Sequence, residues 1–338
     1  MRLRKKILIT VGLVVLAGLL LGVWYAWRAF PIISGYGAKN MASAIYLQHR
    51  KPAAILKEDL GSFPLSLGTF TVNEADSSVT GSVWGFAKRK AIYRQGLGCT
   101  LVNDYSEAEI RKQRFALPVS QRPNTDSLPW PYGDRISDSL PPLINKAKLH
   151  QAITNAMQAT IDGKPAYTRA VVVVYDGQLA GEQYAPGFDK NTVMLGWSMS
   201  KSLTSALIGI LVKEGKLNVE APAPVPEWKG TDKAAITLKH LLQQTSGLDF
   251  VEDYSKPSEV TNMLFKEGDM AAYTAQLPLK DQPGMVFYYS SGNSNLLSRI
   301  IRHTVGEQRY AAFPYQALFH KLGMYSTLLE PDASGTFI

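Results

Sequence analysis

The longest apolar run of the chain lies near its N-terminus. The segment from Ile7 to Trp27 has no charged residue, and as a helix it would be roughly 30 Å long, the thickness of a bilayer's hydrocarbon core. Four cations precede it, and aromatic residues stand at its far end. This pattern predicts a single transmembrane anchor with a cytoplasmic N-terminus and the rest of the chain outside. A cleaved signal peptide and a buried core helix are the alternatives; the nearest small-x-small triplet, Ala42-Ser43-Ala44, lies well past the run.

Beyond the anchor, the chain divides by composition into three regions. Short β-prone runs occur at Gly68 to Val72 and at Lys90 to Tyr93, without any functional motif. A stretch rich in Pro, Ser, Asp and Gly follows, and it predicts an extended connector. The predicted domains are 1–28 (cytoplasmic stub and transmembrane anchor), 29–117 (N-terminal region with short strands and no assigned role), 118–144 (connector) and 145–338 (globular domain).

The globular domain opens with a helix and a hairpin. Apolar residues recur at helical spacing from Asn145 to Ile161. The β-prone runs Ala170 to Tyr175 and Gln178 to Tyr184 are separated by Asp176-Gly177, and Asp-Gly between such runs is a strong hairpin signal because both turn residues need positive φ. Further helices are predicted at Ser202 to Glu214, with Gly215 at the C′ position, at Thr237 to Gln244, and at Asn295 to His303.

Composition is that of a globular protein and narrows the function classes. The 338 residues are 46% hydrophobic and 19% charged, and the four cations before the anchor supply half of the net charge of +8. No nucleic-acid partner is therefore predicted. Cys99 is the single cysteine and is interpreted as a small buried apolar residue, and the five histidines lack metal-ligand spacing. We expect neither a metal nor an organic cofactor; the sequence leaves the oligomeric state open.

A candidate nucleophile pair lies where a loop enters a hydrophobic helix. Ser198 and Lys201 stand at i and i+3, so a helix places both side chains on one face. A serine attacks only when a base takes its proton, and a partly dry lysine can be that base. The competing interpretation is an ordinary helix start, in which Ser198 caps the helix and Lys201 is solvated. This segment alone leaves both interpretations open.

Two neighbouring motifs resemble those of a known superfamily. The run GWSMSKSLT at residues 196–204, followed by Gly215-Lys216-Leu217, resembles the first motif of the serine β-lactamase, DD-peptidase and family VIII esterase superfamily. The run ITLKHLLQQTSGL at residues 236–248 resembles the helix and turn that these proteins place after the nucleophile helix. The resemblance implies an α+β, β-lactamase/transpeptidase-like fold: a mainly antiparallel sheet flanked by helices, with a helical lobe, here preceded by one transmembrane helix.

A third motif gives two more candidate residues. In PGMVFYYSSGNSNLL at residues 283–297, the Pro-Gly and Leu-Leu pairs match a Tyr-x-Asn motif whose Tyr falls on Tyr289 and whose Asn falls on Ser291. The resemblance implies that Tyr289 shuttles protons with Lys201 and that Ser291 orients the substrate. Because the amide of the usual Asn is missing, esterase or amide-oligomer hydrolase activity is favoured over true β-lactamase activity. His240 is interpreted as a hydrogen-bonded or solvated helix residue.

The resemblance implies a membrane-anchored, extracytoplasmic serine hydrolase. It would act through an acyl-enzyme at Ser198 on a small-molecule amide or ester substrate, at the outer face of the bacterial cytoplasmic membrane. The alternative is a non-catalytic, penicillin-binding-like membrane protein that binds cell-wall peptides or partners. Retention of Ser198, Lys201 and Tyr289 together favours the hydrolase.

One element of the resemblance has no counterpart. The third superfamily motif, Lys-Thr-Gly or a His-x-Gly variant on the strand beside the nucleophile, is absent up to Ile338. In the superfamily, C-terminal strands pair with the hairpin at residues 170–184, and without them that sheet keeps an unpaired edge and an uncovered apolar face. We therefore expect a fragment that lacks its C-terminal strands, is poorly stable and is catalytically inactive by itself.

Overall fold

The computed structural model describes residues 2–118, 124, 126–136, 141 and 143–338, so part of the predicted connector at 118–144 lies outside the described residues. Two compact units are present. This division differs from the predicted one, because residues 29–116 belong to the same unit as the helices beyond Gly196. The first unit comprises Met1–Ala116, Gly196–Phe313 and Leu328–Ile338, and the second comprises Leu117–Leu195 and Pro314–Thr327.

All strand pairs in the described part of the chain are antiparallel. Strands β1 to β4 form one sheet in that order, and β5–β6 and β7–β8 form separate two-stranded pairs. In chain order the described elements are α1 (Arg2–Tyr46), α2 (Pro52–Glu58), β1 (Gly68–Asn73), β2 (Ser78–Val83), β3 (Phe86–Arg94), β4 (Gly98–Leu101), α3 (Glu107–Lys112), α4 (Lys146–Met157), β5 (Thr160–Ile161), β6 (Lys164–Pro165), β7 (Ala170–Tyr175), β8 (Gln178–Tyr184), α5 (Ser200–Lys213), α6 (Leu238–Leu242), α7 (Glu259–Lys266), α8 (Met270–Gln276), α9 (Ser291–Val305) and α10 (Glu307–Tyr310).

Helix α1 has two halves with different surroundings. The apolar side chains from Ile7 to Trp27 are exposed, with exposed fractions between 48% and 82%. Beyond Phe30 the same helix is buried, and Ala38, Met41 and Ala42 belong to the core. Within the described residues, α1 is the one helix that is long and apolar enough to cross a membrane. The predicted boundary at residue 28 therefore falls inside a continuous helix.

Small residues let the second half of α1 lie close to the sheet. A Cβ atom at Gly37 would stand 2.0 Å from the ring of Phe70 on β1, and one at Gly81 on β2 would stand 2.3 Å from the backbone oxygen of Ser34. Only glycine fits such contacts between backbone and ring or backbone and backbone. The resulting core also contains Cys99, whose predicted burial is confirmed. Burial raises the pKa of the Cys99 thiol to about 12, which keeps it protonated.

Helices beyond Gly196 share this unit with the sheet. Phe265 of α7 joins the core under α1, and Val260, Met263 and Met270 form a neighbouring cluster with Phe250. Helix α5 begins two residues before its predicted start, α6 is shorter than predicted, and α9 begins four residues earlier, at Ser291. Helix α9 starts earlier because the Ser290 side chain accepts a hydrogen bond from the backbone N–H of Asn293 and caps it.

The second unit contains the predicted hairpin. Strands β7 and β8 match the predicted runs, and Asp176 and Gly177 both adopt positive φ, of 47° and 70°. Helix α4 packs on β8, where Gly181 leaves room for Ile153. The predicted helix from Asn145 to Ile161 ends early, at Met157. An Asp162-Gly163 turn with positive φ at both residues directs residues 160 and 161 into the short β5–β6 pair instead.

Candidate active site

Ser198 lies in the turn that leads into α5. A 3₁₀ turn spans Trp197–Met199, and α5 follows directly from Ser200. The N-cap of α5 is Met199, without any side-chain hydrogen bond, so Ser198 does not have the capping role of the competing interpretation. Trp197 has a φ of 43°, a left-handed conformation that is unfavourable for a bulky residue. The serine hydroxyl thus follows a strained backbone position, a feature that clusters at functional sites.

The side chain of Lys201 joins two hydroxyl groups. Its Nζ lies 3.2 Å from Oγ of Ser198 and 3.2 Å from Oγ of Ser291, donating to both. Ser198 is exposed, Lys201 is half-buried and Ser291 is buried. The i, i+3 spacing on the nucleophile turn accounts for the first contact, and the start of α9 supplies the second. A lysine amine at this distance can exchange a proton with a serine hydroxyl.

Tyr289 contacts Lys201 through its ring. The lysine Nζ lies 5.0 Å from the ring centroid, within the range of a cation–π interaction. Tyr289 belongs to the segment before α9, and its residue is 40% exposed. All four residues predicted from the sequence, Ser198, Lys201, Tyr289 and Ser291, therefore lie together in one unit of the structure.

Comparison with known proteins identifies the family of the chain. The sequence profile described as Beta-lactamase matches residues 154–337, more than half of the chain. The chain belongs to the beta-lactamase family. Its fold is β-lactamase/transpeptidase-like, with antiparallel strands and helices, which confirms the predicted fold class and the predicted superfamily.

Individual relatives of this beta-lactamase-family chain match over shorter segments. The 6-aminohexanoate-dimer hydrolase of Paenarthrobacter ureafaciens is 29% identical over 151 residues, which are 41% of this chain and 38% of that protein. Protein flp of Staphylococcus aureus is 32% identical over 140 residues, 40% of this chain and 28% of that protein. The crystal structure of FmtA from Staphylococcus aureus aligns with a TM-score of 0.37 at 18% identity, covering 58% of this chain and 54% of FmtA. The chain thus spans less than half the length of these two curated relatives.

A carboxylate that the sequence analysis did not identify completes the cluster. Glu252 accepts hydrogen bonds from the backbone N–H of Ser291 at 2.8 Å and from the Ser291 hydroxyl at 2.5 Å. The Tyr254 hydroxyl donates to the same carboxylate at 2.8 Å. A hydroxyl has one hydrogen and two acceptor sites, so donation to Glu252 leaves Ser291 to accept from Lys201. Glu252 thereby sets the direction in which the Ser291 hydroxyl points.

The phenol of Tyr254 is held in its neutral form. Burial raises the pKa of Tyr254 to about 12, and the neighbouring Glu252 carboxylate adds to the shift. A protonated phenol can donate to Glu252, as the geometry requires. No motif marks Glu252 or Tyr254 in the sequence; they follow the TSGL turn by four and six residues, which is the only sequence signal that could have drawn attention to them.

The second predicted motif, at residues 236–248, holds the segment that carries Tyr289. The Gln244 side chain accepts from the backbone N–H of Ser290 at 2.9 Å and from the Asn293 amide at 3.1 Å, and its backbone oxygen accepts from Tyr288 N–H at 2.8 Å. The Ser246 hydroxyl donates to the Asn293 side-chain oxygen at 2.9 Å. These four bonds connect the second predicted motif to the third, so the two motifs have a common structural role.

The other predicted polar residue has a local role. Nδ1 of His240 accepts a hydrogen bond from the backbone N–H of Thr237, closing a capping box at the start of α6, as expected for a hydrogen-bonded helix residue. Among the residues that the structure describes, no group of three or more His, Cys, Asp or Glu side chains is arranged to hold a metal ion.

Proposed function

We propose that this chain is a serine hydrolase that cleaves amide or ester bonds through an acyl-enzyme on Ser198. The observation that carries the proposal is the position of the Lys201 amine, 3.2 Å from the Ser198 hydroxyl and 3.2 Å from the Ser291 hydroxyl. Membership of the beta-lactamase family supports a hydrolase. The similarity to a 6-aminohexanoate-dimer hydrolase supports hydrolysis of an amide or ester rather than of a β-lactam.

In the proposed mechanism, Oγ of Ser198 attacks the substrate carbonyl while its proton passes to Nζ of Lys201. The tetrahedral intermediate collapses, the bond to the leaving amine or alcohol breaks, and the leaving group takes a proton by way of Tyr289 and Lys201. Water then attacks the acyl-enzyme with the same groups acting in reverse, and the acid is released with Ser198 restored. The backbone N–H of Ser198 is proposed to donate to the developing oxyanion.

Ser291 and Glu252 act as positioning residues in this proposal. Ser291 accepts a second hydrogen bond from Lys201 Nζ, and Glu252 directs the Ser291 hydroxyl so that it can accept it. A side-chain amide in the place of Ser291 would reach further into the site and offer a donor to a substrate amide. With the shorter serine the proposed site has room for a linear ester or amide oligomer, which is the substrate class that we favour.

We also propose that α1 anchors the protein in the bacterial cytoplasmic membrane, with the catalytic unit outside. Its apolar half is exposed over the length of a membrane span, and cations precede it. Cleavage as a signal peptide is disfavoured because Ala42-Ser43-Ala44, the nearest triplet of suitable residues, lies in the buried half of the same helix. A peptidase could reach it only if the core between α1 and the sheet opened.

Labelling of the nucleophile tests the proposed chemistry. Because residues 1–338 alone are expected to be inactive, the test uses a full-length version that supplies the missing C-terminal strands. In that protein a fluorophosphonate probe should form an adduct on Ser198, and the Ser198→Ala variant should lose the adduct completely. Ser202→Ala is the matched control, because Ser202 is an exposed serine on the same helix outside the cluster, and it should label as the parent does. In a p-nitrophenyl ester assay, the Ser198→Ala variant should likewise lose turnover, and the Ser202→Ala variant should keep the parent's rate.

The replacement of the usual Asn by Ser291 favours one second candidate, a protein that keeps the fold to bind cell-wall peptides without hydrolysing them. Folded parent protein that binds muropeptides but gives no adduct on Ser198 would support that candidate and overturn the hydrolase. An adduct lost only in Ser198→Ala would overturn the binding-only candidate.

A further inference from the structure

An exposed aromatic pair stands at the tip of the hairpin between β2 and β3. Trp84 and Phe86 flank Gly85, and each aromatic side chain is 68% exposed. The tip is a tight turn, since Trp84 and Gly85 have φ of 51° and 83°. Neither side chain belongs to the buried core and each leaves most of its surface exposed, so core packing does not explain the pair.

Contacts with α1 place this tip next to the end of the apolar helical segment. The Trp84 ring meets the Phe30 ring edge to face, with 5.3 Å between centroids. Further along the same strand, Gly81 contacts the backbone of Ser34. The chain from Gly81 on β2 to Trp84 in the turn thus runs back toward the N-terminal half of α1, and Trp84 is level with Phe30.

The position of Trp84 relative to a membrane follows from the geometry of α1. Phe30 is three residues beyond Trp27, the last residue of the apolar run, which is about 4.5 Å along a helix axis. The headgroup layer on each side of the roughly 30 Å hydrocarbon core is about 5–7 Å thick. If Ile7 to Trp27 spans the core, the ring of Trp84 lies inside that layer. Tryptophan and other aromatic residues concentrate at this level of membrane proteins.

Cationic residues follow the aromatic tip on β3. Lys88 is exposed two residues after Phe86, and Arg89 follows it. Burial lowers the pKa of Lys266, and the nearby charges of Arg28 and Arg89 lower it further, while Glu267 opposes the shift. Arg28 and Arg89 therefore lie within electrostatic range of Lys266. Such charges complement the phosphates of anionic lipids.

We propose that Trp84, Phe86, Lys88 and Arg89 form a membrane-interfacial surface that inserts into the headgroup layer of the bilayer crossed by α1. The occupant of this surface is anionic phospholipid, with the two aromatic rings between the headgroups and the two cations at the phosphates. This inference rests on the proposed anchoring of α1. Its consequence is that the unit carrying Ser198 meets the membrane at two points, the helix and the hairpin tip, which restricts its rotation about α1.

Spin-label depth measurements on the full chain in nanodiscs of phosphatidylglycerol and phosphatidylethanolamine test the surface. Single labels are placed at Phe86→Cys, at Leu16→Cys inside the apolar run, and at Ala75→Cys. Ala75 is the matched control: it is an exposed turn residue at the opposite end of β2, beside Asn73, which contacts Tyr46. Tyr46 lies about 24 Å further along α1 than Phe30. The parent chain, whose Cys99 is buried, serves as the unlabelled background.

The proposal predicts a graded set of collision rates with oxygen and with a water-soluble nickel chelate. The label at residue 16 should meet oxygen, the label at 75 should meet nickel, and the label at 86 should show at least a threefold lower nickel collision rate than the one at 75. Adding Trp84→Ser to the labelled Phe86→Cys chain should raise the nickel rate toward that of residue 75.

The outcome of the labelling shows whether the proposed surface or the proposed anchor is wrong. A label at residue 86 as accessible to nickel as the one at 75, with residue 16 still in the lipid, would overturn the surface and leave the anchor intact. A water-exposed label at residue 16 would overturn the anchor, and the surface with it. Circular dichroism melts of the Trp84→Ser chain separate loss of membrane contact from loss of folding, because the exposed Trp84 side chain should leave the melting temperature within about 2 °C of the parent's.

Discussion

Replacement of Glu252 by Gln probes the hydrogen bonding that directs Lys201. The carboxylate accepts three hydrogen bonds, two from Ser291 and one from Tyr254. A glutamine has only one oxygen, and the backbone N–H of Ser291 must take it because an N–H cannot face an NH₂ group. The new NH₂ group then faces the two hydroxyls, which have to turn and accept. The Ser291 hydrogen is thereby directed away from residue 252 and toward Lys201.

The size of the effect follows from the kind of bond that is lost. A hydrogen bond to a charged group contributes about 1.5–3 kcal/mol, and a factor of ten in rate corresponds to about 1.4 kcal/mol. If most of that energy holds Lys201 in its reactive position, the second-order rate of fluorophosphonate labelling at Ser198 should fall about 10- to 100-fold in Glu252→Gln. Glu252→Asp keeps the charge but shortens the side chain, and it should fall between the parent and Glu252→Gln.

Glu220→Gln is the control, because Glu220 forms an exposed ion pair with Lys239 in the same unit. Exposed pairs contribute little, so its labelling rate should stay within twofold of the parent. The thermal melt of each variant shows whether it is folded. A folded Glu252→Gln that labels at the parent's rate would refute the positioning role, and equal losses in both glutamine variants would assign the effect to charge in general.

Two further predictions concern stability. Gly247→Ala should lower the free energy of unfolding by at least about 2 kcal/mol, because φ is 77° and the new Cβ would stand 2.2 Å from the Asp281 backbone oxygen. Gly215→Ala is the control: φ is 70° there but the space is open, so the free energy of unfolding should fall by only about 1 kcal/mol. Equal losses of thermal stability in the two variants would refute the clash. Burial raises the pKa of Asp332 from 3.8 to about 6, so its contribution to stability is fully present below pH 3.8 and is lost as pH rises through 6. The stability of Asp332→Asn relative to the parent should therefore rise by on the order of 3 kcal/mol between pH 4 and pH 7, and a constant difference in denaturant unfolding would contradict this.

Short sequence patterns correctly predicted elements that depend on neighbouring residues alone, such as the β7–β8 hairpin. The β7–β8 turn needs positive φ at two adjacent residues, and Asp-Gly is a residue pair that adopts this conformation readily, so Asp176-Gly177 predicts the turn. Asp162-Gly163 meets the same requirement just beyond α4, but apolar residues at helical spacing continue to Ile161, so spacing alone predicts a helix that is too long. Motif register predicted Ser198, Lys201, Tyr289 and Ser291 as one set, and the start of α5 and the start of α9 bring these four residues together.

Contacts between distant, irregular segments were not predictable in this way. Glu252 lies 39 residues before Ser291 in a stretch without helix or strand, so neither periodicity nor capping distinguishes it from a solvated surface carboxylate. Gln244 is similar: its side chain satisfies two donors of the segment around Tyr289, a role that depends on its own φ of 60°. The roles of Glu252 and Gln244 become visible only in the structure, when each buried polar group at the start of α9 is matched with its hydrogen-bond partner.

The second half of α1 was missed for a different physical reason. Hydropathy detects helices that bury large apolar side chains, but residues 34 to 44 are dominated by Gly, Ala and Ser, whose contribution is close approach rather than apolar area. That close approach makes α1 a part of the sheet's core instead of a flexible tether. A tether would leave the position of the catalytic unit relative to the bilayer undefined. A continuous helix fixes the distance along its own axis, so the height of the β2–β3 tip above the apolar run follows from the helical rise and the contact between Phe30 and Trp84.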